Sequence, residues 1–313
     1  MSSTTKAAGA GVSLRRSQPR YGERAIEAVL FVAASISVLT TIGIVVAIVG
    51  PTVEFFREPA ISAWDFITGT EWTALFGEAQ REFGVLPLVT ATLTTTVIAL
   101  LVAIPLGLGA AIYLSEYASP RARKVFKPIL EVLAGIPTVV YGFFALTFVT
   151  PELLRPLLGV PTFNMLSAGL VMGVMIIPTV ASLSEDAMSA VPQALRDGAY
   201  GLGSTKMQVA TRVVVPAAIS GIIAAFVLGL SRAVGETMIV ALAAGNQARF
   251  TLNPLEGAQT MTGYIAQAAS GDQPTGSLGY ESLFAVAALL FAITVLMNVI
   301  SIRLVRKYRE VYE

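Results

Sequence analysis

Apolar and polar positions alternate along this chain so as to leave six long uncharged runs. Nothing is charged from Ala28 to Val53, nor from Phe83 to Ser115. Glu131 is followed by an uncharged run through Pro151, and Pro156 to Ser184 forms the next. Val213 to Ser231 is the fifth, and it resumes after Glu236 as far as Ala248; Ser282 to Ile302 is the sixth. A bilayer's hydrocarbon core is about 30 Å thick and takes about 20 apolar helical residues to cross. Lipid cannot satisfy backbone N–H and C=O groups, so runs of this length must be helices. Spans are expected roughly over residues 26–53, 84–115, 129–151, 163–185, 216–243 and 281–303. The first run is too long for the apolar core of a signal peptide and follows a polar tail, so it reads as an uncleaved span.

Composition supports an all-α integral membrane protein. Of 313 residues, 55% are hydrophobic and 13% charged, about half the charge of a soluble domain. A net charge of +1 gives no global field for nucleic acid. There is no Cys and no His, which removes disulfides, thiolate nucleophiles, Cys/His zinc sites and His as a general base.

Placement of the 21 Lys and Arg residues orients the spans. Lys6, Arg15, Arg16, Arg20 and Arg24 precede the first span; Arg121, Arg123, Lys124 and Lys127 follow the second. Arg196, Lys206 and Arg212 follow the fourth; Arg303, Arg306, Lys307 and Arg309 close the chain. These four segments alternate correctly to lie on one side and hold 16 of the 21, so both termini are expected in the cytoplasm. The opposite loops hold only Arg57, Arg81, Arg155 and Arg249, and Arg232 falls inside the fifth span. Residues 1–24 read as a disordered cytoplasmic tail, 25–310 as the membrane domain and 304–313 as a second cytoplasmic tail. The external segment 54–82 carries six acids with Trp64 and Trp72, and a second external segment over 246–280 is rich in Gly, Gln, Thr and Pro.

The most informative soluble stretch is the segment 190–215, which with Pro216 ends PQALRDGAYGLGSTKMQVATRVVVP. Small residues are dense there, which suits close docking to a partner; an ordinary Gly-rich connection is the plain alternative. The stretch resembles the loop of ABC importer permeases, whose pattern is E-A-A, three residues, G, nine residues, I-x-L-P. Here Asp197-Gly198-Ala199 is followed by Gly203, then Val213, Val215 and Pro216, and every spacing fits. The departures are Asp for Glu, Gly for the first Ala, and Val for Ile and Leu. The resemblance implies a short coupling helix that inserts into a cleft on an ATP-hydrolysing subunit. No G-x-x-x-x-G-K-[ST] phosphate loop occurs, so the chain is expected to be no enzyme and to bind no cofactor; ATP and Mg would sit on a separate ATPase.

Ionisable groups inside spans are costly and usually face the bundle interior. Arg232 and Glu236 are four apart, which on a continuous helix puts them on one face. Two readings stand: an anion path in which the guanidinium fork meets oxyanion oxygens, and a structural ion pair between helices. Gly229 and Gly235 are placed for close helix packing. Glu131 is placed to pair with Lys127 one turn earlier, and Glu185 and Asp186 end the fourth span at the solvated interface. Gly135 and Pro137 are expected to break the third span, at a candidate hinge, and Pro105 to Gly109 to kink the second.

Three further stretches narrow the resemblance: RAVGETM (Arg232 to Met238), LAGIPTVVYGF (Leu133 to Phe143) and the run from Phe83 to Ala118. Over about residues 25–310 they resemble the phosphate-specific ABC permeases. The long first external segment, with TGTEW at Thr68 to Trp72, is more similar to their PstC-like subunit than to PstA. The resemblance implies a type I ABC importer permease fold in a bacterial or archaeal inner membrane. It implies phosphate as cargo, a second PstA-like permease, a dimer of ATPase subunits and an extracytoplasmic phosphate-binding protein. Arg232 matches the family's intramembrane arginine and Glu236 its acidic neighbour. A permease for tungstate, molybdate, sulfate or phosphonate would use Arg232 equally well. An ion channel or ion-coupled carrier has no need of the loop pattern, and a carrier normally buries several carboxylates where only Glu236 is deep here; a structural membrane subunit leaves Arg232 unexplained.

Overall fold

The computed structural model describes residues 21–77, 80–271 and 273–307. Most of the tail expected over 1–24 lies outside them, as do 308–313. Residues 21–24 open the first helix, α1 (Tyr21–Arg57), and 304–307 belong to the last. The chain divides into two compact units, 1–47 and 48–313. Within the described residues the first unit consists of the apolar N-terminal part of α1. The second carries everything that follows.

Among the described residues, four helices are long and apolar enough to cross a membrane unaided: Gly22–Arg57, Leu86–Tyr117, Met165–Ser189 and Leu278–Arg303. Two bent pairs also qualify, Pro120–Ala134 with Thr138–Leu158 at 87° and Lys206–Ala217 with Ile219–Val234 at 73°. Counting each pair as one crossing gives six. The third and fifth spans are therefore broken, the third at the expected Gly135 and Pro137 and the fifth where the apolar pattern reads as continuous.

After α1 comes the short α2 (Ala63–Thr68). α3 (Leu86–Ile112) then continues through Pro105 without a break and ends in a π-helical segment, Tyr113–Tyr117. α4 (Pro120–Ala134) stops at Gly135. α5 (Thr138–Phe144) begins after Pro137 and continues through a π segment, Ala145–Leu154, into α6 (Arg155–Leu158). α7 (Met165–Ser189) is the central helix, capped by Asn164 Oδ1, which accepts from Ser167 N at 2.7 Å.

α3 and α7 are held at backbone distance. A Cβ on Gly173 would lie 2.8 Å from the Ala99 carbonyl, and one on Gly107 2.8 Å from Val180 Cβ. Lipid tails are as apolar as Leu, so such contact by van der Waals packing is what holds spanning helices together. Gly229 likewise sits against Ile176 and Val180, whereas Gly235 meets only its own helix. A core of Met172, Met175, Ile176, Val180 and Ile239 forms around α7.

The two segments expected to be external pack on each other through aromatic edges. Phe55, Phe66, Trp72, Phe83 and Tyr264 form a run of edge-to-face contacts, ending with Trp72 and Tyr264 at 4.9 Å. Trp72 is buried and Trp64 is 73% exposed. Burial pushes the Tyr264 hydroxyl up to about 12, although its hydrogen bond with Ser282 at 2.6 Å works the other way.

Candidate translocation site and coupling segment

α11 (Ile219–Val234) carries Arg232 in its last turn and ends at Gly235, whose N–H reaches back to the Ser231 carbonyl at 3.2 Å. Glu236 lies beyond that end, before α12 (Met238–Ala243). The shared face expected for Arg232 and Glu236 is therefore absent, because the helix stops between them. Instead Glu236 Oε1 accepts the backbone N–H groups of Met238 (3.0 Å) and Ile239 (3.2 Å). A carboxylate is well placed there, at the positive end of a helix. The Glu236 carbonyl accepts from Thr262 Oγ1 at 2.7 Å, which ties the break to α13 (Met261–Ser270). Arg232 Nη1 donates to Thr179 Oγ1 on α7 at 3.1 Å. The guanidinium also lies within electrostatic reach of the Tyr141 hydroxyl on α5.

Tyr141 explains how the break at Gly135 and Pro137 is tolerated. In a continuous helix the Leu133 carbonyl would accept the N–H of residue 137, which proline lacks. The buried Tyr141 hydroxyl donates to it at 2.9 Å, alongside the longer bond from the Ile136 N–H at 3.4 Å. A cavity of about 280 Å³ opens beside Thr179, lined among others by Ser182, Leu228, Lys127, Glu131 and Glu185.

The charges around that cavity differ from those expected. Lys127 does not pair with Glu131 among the described ion pairs; its Nζ lies 2.9 Å from Glu185 Oε2 and 3.1 Å from Asp186 Oδ1. Glu185 is not solvated at the interface but fully buried, with Arg123 on its other oxygen and Ser189 Oγ at 3.1 Å. The reason is the 87° bend, which turns the basic face of α4 onto α7.

The candidate coupling segment is two short helices joined by a turn. α8 (Gln193–Gly201) carries Asp197, Gly198 and Ala199. Asp197 is exposed and its Oδ1 accepts from Gln193 Nε2 at 3.1 Å. Gly198 is exposed, while Ala199 packs on a small core with Ala111, Met188, Val209 and Ile222. Gly203 has φ 81°. Its N–H bonds the Tyr200 carbonyl, and the Ser204 N–H bonds the Ala199 carbonyl, a Schellman ending that calls for glycine. Gly203 thus ends α8; close approach by a partner was the reason read from sequence. Thr205 and Gln208 form a capping box on α9 (Lys206–Val209). A π segment, Ala210–Val214, leads to α10 (Val215–Ala217), where Pro216 stands at the 73° bend into α11. Two large apolar side chains stand out on its surface beside the exposed Asp197, Lys206 and Gln208: Leu202 is 90% exposed and Met207 68%. α14 (Leu278–Lys307) closes the bundle, with Asn298 beside Ser231 of α11.

Sequence reasoning missed Thr179 and Tyr141. Only Tyr141 left a signal, the Leu133 carbonyl four residues before a proline.

Comparison with known proteins places this arrangement. The family model described as the binding-protein-dependent transport system inner membrane component matches residues 103–310. The probable ABC transporter permease protein YqgH of Bacillus subtilis is 32% identical over 284 residues, 91% of this chain and 89% of that protein. The phosphate transport system permease protein PstC of Mesorhizobium japonicum is 34% identical over 257 residues, 76% of this chain and 77% of its own. PstC 1 of Mycobacterium tuberculosis is 32% identical over 325 residues, 92% of this chain and 96% of its own. A bacterial alginate ABC transporter, solved in complex with a periplasmic protein bound to an alginate pentasaccharide, aligns with TM-score 0.60 at 16% identity, covering 92% of this chain and 99% of that one. The inward-facing MetNI methionine ABC transporter aligns with TM-score 0.55 at 20% identity, covering 72% and 94%; at such identities the likeness is of fold alone. With more than half its length matched by the family model, the chain belongs to the inner membrane components of binding-protein-dependent transport systems, as a PstC-like ABC importer permease.

Proposed function

We propose that this chain is one of two permease subunits in an ATP-driven importer of inorganic phosphate, and that Arg232 meets the anion. The observation that carries the reading is a guanidinium set within a span, partnered there by a neutral hydroxyl, in a chain similar to PstC proteins. A cation partnered, among the described residues, by a hydroxyl alone keeps its charge for a ligand. A hydroxyl that accepts from Arg232 still has its own proton to donate, so Thr179 offers an oxyanion a second contact. Glu236 would act at one remove, by fixing the break that ends α11 rather than by neutralising Arg232.

The partners in this reading are a PstA-like permease, a pair of ATPase subunits and an extracytoplasmic phosphate-binding protein. α8, with Asp197, Gly198, Ala199 and the turn at Gly203, would dock in the ATPase. The exposed Leu202 and Met207 beside it suit an apolar cleft. The Gly135–Pro137 break would serve as the hinge. No cofactor is assigned to this chain.

A second reading, a permease for tungstate, molybdate, sulfate or phosphonate, has the same guanidinium in its favour. Radiolabelled phosphate uptake by the reconstituted complex, competed by each of these anions, separates the two. Uptake abolished by Arg232→Gln in an assembled complex is the expected result. Normal uptake in that variant removes Arg232 from the path, and efficient competition by sulfate or molybdate overturns phosphate as the cargo.

A further inference from the structure

Two cations of the coupling segment converge on the π-helical end of α3. Arg196, on α8, is nearly buried, with 11% of its side chain exposed, and Glu116 is buried to 5%. Arg196 Nη2 donates to Glu116 Oε1 at 3.1 Å and to the Met188 carbonyl at 2.8 Å, while Nη1 donates to the Val191 carbonyl. One planar fork thus grips the C-terminal end of α7 and the end of α3 together. Ser115 Oγ donates to the same Glu116 oxygen at 2.9 Å. The next residue, Tyr117, takes the second contact: Lys206 Nζ, at the start of α9, lies 5.1 Å from its ring centroid.

The receiving segment is not an ordinary helix end. Tyr113–Tyr117 is π-helical, closed by the Ala118 N–H on the Tyr113 carbonyl at 2.7 Å. π turns are rare and cluster at functional sites. Between it and α8 lies a cavity of about 360 Å³, lined among others by Ser115, Ser189, Gln193 and Tyr200, so this end of α3 meets α8 through polar contacts beside open space.

We infer that Arg196 and Glu116 form the strut through which movement of the coupling helix is passed to the cytoplasmic end of α3, with Lys206 on Tyr117 as a weaker second tie. The inference rests on the proposed docking of α8 in an ATPase. Arg196 is here a positioning residue; it touches neither the transported anion nor nucleotide. The neighbouring charges do not substitute for it. Arg123 and Lys127 are held by Glu185, and Asp197 is engaged by Gln193. α3 carries the motion onward because it packs at backbone distance on α7, the helix that holds Thr179 against Arg232.

The test uses the full complex in proteoliposomes, with the binding protein and labelled phosphate, and reads ATP hydrolysed per phosphate taken up. Glu116→Gln should raise that ratio about tenfold, a typical size for coupling between sites. Arg196→Gln should do the same, and the double variant should be no worse than either single one, as for two residues in one interaction. An unchanged ratio overturns the strut. So does a parallel fall in uptake and hydrolysis, which would mean the pair only holds the fold or the docking site together. If Glu116→Gln fails to assemble, the exposed Lys206→Gln decides: a rise of about twofold is expected from one cation–π contact, and no rise overturns the inference. Absence of phosphate uptake by the wild-type complex would instead overturn the proposed function.

Discussion

Thr179 separates the position of Arg232 from its charge. Replacing it with Val removes the hydroxyl that holds Nη1 at 3.1 Å while keeping a β-branched side chain of similar size. A hydrogen bond to a charged group is worth about 1.5–3 kcal/mol, so Thr179→Val should lower the maximal uptake rate by about tenfold or more. Thr179→Ser should restore it. Half-saturation, which the separate binding protein would set, should stay where it is. Uptake kinetics in the reconstituted complex check this, and an unchanged maximal rate in Thr179→Val would remove the hydroxyl from the site. At this scale the sequence was legible in kind but not in geometry. A lone arginine in an apolar run marks a site. The i, i+4 spacing to Glu236 misled, because Gly235 ends α11, and a glycine just past a helical run is itself a stop signal. Thr179 left no signal, since only the packing of α7 on α11 brings it to Arg232.

At the level of elements, the bends carry the information that hydropathy omits. Runs of apolar residues fix where helices lie, but not whether one span is a single helix. Pro137 and the Ala218 region break two of them. The first break turns α4 so that Arg123 and Lys127 reach a buried Glu185, a contact across about 60 residues of sequence that no local pattern records. This predicts an asymmetry between neighbours. Glu185→Gln leaves two cations facing each other across a neutral amide. Removing one member of a fully buried pair costs about 3–5 kcal/mol, and the partial exposure of Arg123 and Lys127 brings the expectation down to about 1–3 kcal/mol. Asp186→Asn, on an exposed side chain, should cost no more than about 0.5 kcal/mol. Thermal unfolding of the purified complex in detergent measures both. Equal midpoints for the two variants would show that the α4–α7 contact does not depend on the buried carboxylate.

For the whole molecule, the absence of Cys makes its passage through the bilayer directly readable, because any introduced thiol is the sole target in this chain. Trp64, on α2, is 73% exposed and Leu202, just past α8, is 90% exposed. Between them the chain passes α3, the bent pair of α4 with α5, and α7. If the bent pair is one crossing, three crossings separate the two positions and they lie on opposite sides of the membrane. If the pair dips in and returns, two crossings separate them and they lie on the same side. The distribution of Lys and Arg further assigns Leu202 to the cytoplasm and Trp64 to the outside. A membrane-impermeant maleimide applied to intact cells should therefore label Trp64→Cys and leave Leu202→Cys untouched until the cells are permeabilised. Labelling of both from outside would reduce the crossings between them to an even number and make the α4–α5 pair a re-entrant loop. Labelling of Leu202→Cys alone would keep the count and invert the protein, putting α8 and its exposed apolar surface where no ATPase could reach it.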